Sequence, residues 1–280
     1  MQFQFDQNTI VSAIVVIGWI FSLCFHEYGH GLAAYIGGDS SIKDKGYLSF
    51  NPFVYTNVGL SIVLPAVMVL FGGVGLPGAA VTVNNAKLRG KHWESIVSLA
   101  GPLFSLIFTA ALIAFILSNP PIPIEWIAAC SYLAVLEILV LIFNLLPVPG
   151  LDGFGIFEPF LPPSVREKCR NFQQYGILIL IAILWTVPVA NEMLWTSAYA
   201  LAFTLGLDPH TVFIGQSSFR SGATPLSIGV IVLAIVVHLI KNKTKSEREA
   251  AAQEAYAARV GENSLETKSE LETKSEPKIG

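Results

Sequence analysis

Two histidines and a glutamate stand in "FSLCFHEYGHGLAAYIGG", residues 21–38, a run otherwise almost wholly apolar. On a helix, His26 and His30 are four residues apart and share one face, so both imidazoles can reach one ion. Glu27 lies about 100° round, near a coordination position left for water. This is the arrangement of a zinc hydrolase. Neutral imidazoles supply borderline-soft nitrogen ligands, a third protein ligand completes the set, and the metal acidifies water in the fourth position. Glu27 then takes the proton as general base. The competing reading is a helix-packing histidine pair with an accidental glutamate. Ionisable groups inside an apolar span are costly without partners, which favours the functional reading.

A third ligand must come from elsewhere in the chain. Asp6, Asp39, Asp44, Glu94 and Asp208 lie in loops or near the ends of apolar runs, where a solvated side chain is the default. Asp152 differs. In "FNLLPVPGLDGFGIF" two prolines end an apolar run and glycines lie on either side of the aspartate, so the backbone can unwind and present a carboxylate inward. A turn-forming Asp-Gly is the alternative reading of the same residues. Glu137, in the middle of a run, reads as a helix-packing or water-cavity carboxylate in preference to a catalytic group.

The elements that must position these groups are membrane spans. Of 280 residues, 53% are hydrophobic and 13% charged, a membrane composition. Sixteen of the 37 charged residues fall in the last 40, so the tail is a different material from the body. No basic, aromatic-interleaved stripe suggests nucleic acid. The start "MQFQFDQNTI" lacks a basic region, so the first apolar segment is expected to stay in the mature protein. The cysteines, Cys24, Cys130 and Cys169, show no CxxC spacing, and neither a disulfide nor a thiolate metal site is expected. Clear spans are residues 10–36, 95–117, 125–146 and 225–240, with one crossing and a partial one over 174–206. Residues 57–73 are apolar but short and interrupted by Pro65. The alternation from Ala80 to Val83 followed by Asn84-Asn85 reads as a short strand or hairpin, whose edge suits pairing with an unwound substrate.

Charge decides the path of the chain. Before the tail, positive residues fall in four groups: Lys43 and Lys45; Lys87, Arg89 and Lys91; Arg166, Lys168 and Arg170; and Arg220. If residues 57–73 crossed fully, the second group would lie outside, against the positive-inside rule. Asp152 would also end about 20 Å or more from His30, whereas a ligand must lie about 2 Å from its metal. Both arguments make 57–73 re-entrant. The expected fold is an all-α polytopic membrane protein with about five or six transmembrane helices, and a re-entrant segment and short β-hairpin between the first two core helices. Residues 1–165 form the catalytic core, 166–240 add C-terminal transmembrane helices, and 241–280 form a charged cytoplasmic tail. The tail is read as partly helical and then disordered where LETKSE is given twice.

"HEYGH" with a downstream "NLLPVPGLDG" resembles the site-2 protease family of intramembrane zinc metalloproteases. Its second motif, Asn-x-x-Pro-x-x-x-Leu-Asp-Gly, is matched by Asn144, Pro147, Leu151, Asp152 and Gly153. "LSFNPF", "IVLP", "VTVN" and "SLAGP" resemble the connector of compact members without a PDZ insertion, and the resemblance covers about residues 10–165. Ser105 stands where many members have Asn, and Tyr55 or a neighbour where compact relatives often carry His. The resemblance implies Zn2+ held by His26, His30 and Asp152, Glu27 as base, and Asn144 as a polar group near the substrate or oxyanion. Val83, Asn84 and Asn85 are the expected substrate-binding segment. The implied activity is regulated intramembrane proteolysis of a transmembrane substrate already shortened by another protease. The setting is the lipid bilayer of a bacterial plasma membrane, or alternatively a thylakoid or other organellar membrane. The competing class is a catalytically silent scaffold or chaperone that binds transmembrane helices, against which the intact Glu27 argues.

Overall fold

A helix of 31 residues, Gln7–Gly37 (α1), opens the computed structural model, which describes residues 6–51 and 81–222. At 1.5 Å per residue it is about 46 Å long, enough to cross a bilayer with tilt. It ends where Gly38 takes φ 122°, a left-handed conformation that glycine adopts without a Cβ penalty, and where the Asp39 N–H returns to the Ala34 carbonyl. A single turn, Ser41–Asp44 (α2), follows.

Residues 81–84 precede a 3-10 turn at Asn85–Lys87, and Lys91–Leu117 forms α3. Ile124–Asn144 forms α4, Asp152–Phe157 a short α5, and Glu158–Phe160 another 3-10 turn. Pro163–Thr186 (α6) and Pro188–Thr204 (α7) meet at a bend of 96°. The break falls at Val187, whose extended conformation is the one favoured before a proline. A further helix, α8, is described over 209–222.

Among the described residues α1, α3 and α4 are long and apolar enough to cross a membrane, and the bent pair α6–α7 gives a fourth if it is one broken span. α4 is the central element, buried along most of its length, because α1 and α3 flank it on one side and α7 covers another. Ile113 and Ile116 of α3, Val135 and Leu139 of α4 and Ala198 and Ala202 of α7 share one buried cluster. Val11 and Val15 of α1 pack against Ala129, Tyr132 and Leu136 of α4 in a second. Ile17, at 67% exposure, and Leu106, at 50%, face outward, as expected of lipid-facing positions on spanning helices.

The third expected span was read to residue 146 and ends at Asn144. Asp152, expected on unwound backbone, follows an irregular stretch but itself begins α5. No strand occurs among the described residues. The half of the expected hairpin within them, residues 81–84, has no ladder partner there, and Asn85 is already in the 3-10 turn. The remainder of that hairpin, the 57–73 segment, the 225–240 span and the tail lie outside the described residues.

Candidate active site

The site is built where the C-terminal half of α1 meets α3 and the start of α5. His26 and His30, on one face of α1, point their Nε2 atoms at each other across 3.0 Å. The Asp152 carboxylate closes the triangle, with Oδ2 3.2 Å from His26 Nε2 and Oδ1 3.3 Å from His30 Nε2. A tetrahedral zinc with bonds near 2.0–2.1 Å separates its ligand atoms by about 3.3 Å. One ligand atom from each residue lies within 4.8 Å of the others, so by type and spacing the three side chains could hold one zinc ion.

The groups behind the ligands fix their chemistry. His30 Nδ1 lies 2.7 Å from the Val97 carbonyl, which can only accept, so Nδ1 carries the proton and Nε2 turns its lone pair to the site. His26 Nδ1 lies 2.9 Å from Ser105 Oγ, a hydroxyl that can accept the same N–H and hold the ring in place. α3 thus supplies both orienting groups, one turn on either side of Gly101. A Cβ at Gly101 would collide with both imidazoles, so glycine there lets α3 approach the histidines closely. Burial alone raises the Asp152 carboxyl, but the imidazoles of His30 and His26 reverse the sign and hold it below the usual carboxylate range.

Glu27 is 4% exposed, and one of its oxygens, Oε2, accepts the Val81 N–H at 3.0 Å. The segment after Val81 is held from the other end: the Asn84 N–H donates to Asp39 Oδ2 at 2.8 Å, and Lys45 Nζ donates to the Thr82 carbonyl at 2.8 Å. Two carboxylates at different depths on or just after α1 therefore suspend residues 81–84 beside the metal ligands.

A cavity of about 480 Å³ joins these groups. Of the residues expected to act, His26, Glu27, His30, Asn144 and Asp152 line it, as do Val83 and Asn85. Asn84 does not. Its N–H is used by Asp39 and its side chain accepts the Ala86 N–H, capping the 3-10 turn. Sequence reasoning singled out Ser105 only as a departure from the family pattern, and here it orients a ligand. Val97 has no side-chain signal at all, since its carbonyl does the work. Glu94 of α3 and Glu158 line another part of the cavity, and both pair with Arg166 of α6, Glu158 at 3.2 Å.

The chain is 35% identical over 212 residues to "Putative zinc metalloprotease Rip2" of Mycolicibacterium smegmatis, covering 75% of this chain and 81% of that protein. It is 36% identical over 193 residues to the protein of the same name from Mycobacterium tuberculosis, covering 68% and 73%. With "Putative zinc metalloprotease YwhC" of Bacillus subtilis the identity is 29% over 190 residues, covering 65% and 84%. No protein-family model matches the chain, and no solved structure matches it.

Proposed function

We propose that this chain, which belongs to the site-2 protease family of zinc metalloproteases, cuts peptide bonds in or near transmembrane segments of membrane-protein substrates. The chain is a zinc-dependent protease with membrane-span-like helices; where it cuts is the inference. The observation that carries it is the position of His26 and His30, buried within a 31-residue apolar helix long enough to span, with Asp152 brought to them from another element. A hydrolytic centre set on such a helix is useful for a bond that water does not otherwise reach.

In this reading His26, His30 and Asp152 hold the zinc. When bound, zinc supplies a Lewis acid that acidifies water and polarises the scissile carbonyl. Glu27 accepts the proton of the attacking water and returns it to the leaving amine, with the Val81 N–H fixing one of its oxygens. Asn144 donates its amide to the substrate or the developing oxyanion. The substrate helix unwinds first, since its own amides are otherwise occupied, and runs beside residues 81–85 with Val83 and Asn85 toward it. We place the chain as a multi-pass protein of a bacterial plasma membrane with five or six spans, residues 57–73 re-entrant, and a substrate pre-cut by another protease.

The test is reconstitution of the full chain in lipid vesicles with a panel of single-span substrates, alongside metal analysis. Wild type should hold about one zinc per chain and cut within or beside a span, whereas Asp152→Ala should hold none and cut nothing. A zinc-loaded wild type that binds spans without cutting them would favour a scaffold.

A further inference from the structure

Glu137 stands in the middle of α4, 2% exposed, where an ionisable side chain is costly. Ser22 of α1 donates its hydroxyl to Oε2. That bond explains one oxygen. Interhelical hydrogen bonds of this kind tie spanning helices together, and a serine or glutamine on α4 would make one equally well. Among the described residues Oε1 has no hydrogen-bond partner, although nearly all buried polar atoms have one.

The place of this side chain gives it a use. Glu137 and Ser22 line the same cavity as His26, Glu27 and Asp152, and so do their neighbours along the two helices, Trp19, Leu23 and Val140. Ser22 lies one helical turn before His26, so this part of the cavity is about 6 Å from the metal ligands along α1, toward the interior of the span. An extended peptide advances about 3.3 Å per residue, so about two residues of an unwound substrate separate the cut bond from Glu137. An apolar-walled pocket with one well-placed hydrogen-bonding atom is how a site selects a polar group, because a ligand lacking that group leaves the buried atom unpaired.

We propose that Glu137 is a specificity-determining residue: Oε1 accepts a hydrogen bond from a donor-bearing substrate side chain, a hydroxyl or carboxamide, about two residues from the scissile bond. This rests on the intramembrane reading given above. Glu137 touches the substrate away from the reacting atoms and takes no part in the bond-breaking step.

Binding, not cleavage, tests it. The full chain carrying Glu27→Gln, loaded with zinc, is titrated with single-span peptides that have alanine, or one serine, at each of three positions on either side of the cut bond. One position should bind serine about tenfold more tightly than alanine, the value of one hydrogen bond that would otherwise be lost in a buried site. Adding Glu137→Leu should erase that preference while changing the all-alanine peptide by less than about twofold. Absence of any serine preference, or its survival in Glu137→Leu, overturns the assignment. If the leucine variant does not hold zinc, Glu137→Cys in a cysteine-free background is read instead. It should form a disulfide with a substrate cysteine at the preferred position, and a disulfide formed equally well three residues away overturns the proposal. Failure of wild type to cut any span would overturn the intramembrane reading and this proposal with it, whereas cleavage without a serine preference overturns this proposal alone.

Discussion

Ser105 is the residue whose role depends most on geometry. As a sequence character it is a serine three residues after Gly101-Pro102; in space its Oγ is 2.9 Å from His26 Nδ1, and it is 3% exposed. Groups that orient a ligating imidazole contribute about 10–100-fold in metal affinity. Ser105→Ala should therefore keep the fold and weaken zinc binding by about tenfold or more, read by competition with a chromogenic chelator; unchanged affinity would remove Ser105 from the site. The histidines of the cluster were legible because HExxH is a local pattern, and Asp152 because prolines and glycines announce a break in an apolar run. The Val97 carbonyl and the Glu137 oxygen were not. A backbone acceptor carries no residue signature, and a mid-span carboxylate has the same sequence appearance whether both its oxygens are bonded or one.

Between elements, the segment 81–84 shows what a periodic pattern leaves open. Val81, Thr82 and Val83 alternate like a strand, but within the described residues their polar groups are met by side chains: Glu27 takes the Val81 N–H, Lys45 the Thr82 carbonyl and Asp39 the Asn84 N–H. Alternation reports one apolar face, and it says nothing of what satisfies the backbone. Val81 and Val83 do pack on the cluster formed by Ala33, Ala34 and Val97, so the face itself was read correctly. Asp39, fully buried, is the main anchor. Burial works to raise its carboxyl, but the Ser41 hydroxyl and N–H, the Asn84 N–H and nearby Lys87 outweigh it and hold it below the usual carboxylate range. A group whose folded pKa is depressed stabilises the fold above its unfolded value of about 4, and that contribution is lost as pH falls through the folded value. Asp39→Asn should lower the Tm by about 2–4 °C at pH 7. The gap from wild type should stay constant to about pH 5 and narrow below about pH 4. A gap that grows on acidification would contradict the anchor.

Across the whole molecule the account depends on α1 and the start of α5 reaching the same depth. The structure brings His26, His30 and Asp152 together; the re-entrant path expected for residues 57–73, which lie outside the described residues, rests on the charge argument. Hydropathy made the long helices legible because a span is an apolar run of sufficient length, whereas the bend of 96° at Val187 was foreshadowed only by Pro188. Lys43→Cys and Lys87→Cys, each in a cysteine-free background, should be labelled by an impermeant maleimide only after the cytoplasmic side is opened. Labelling of position 87 from outside intact cells would refute the re-entrant path. The central claim is that this centre cuts a membrane-embedded bond with Glu27 as its base. It is tested most directly by the cleavage rate of a single-span substrate in lipid vesicles by wild type and Glu27→Gln, with zinc counted on the same samples. The account predicts equal zinc and a rate lower by about 10² or more in the variant; a zinc-loaded Glu27→Gln that cuts at a near-normal rate would contradict it.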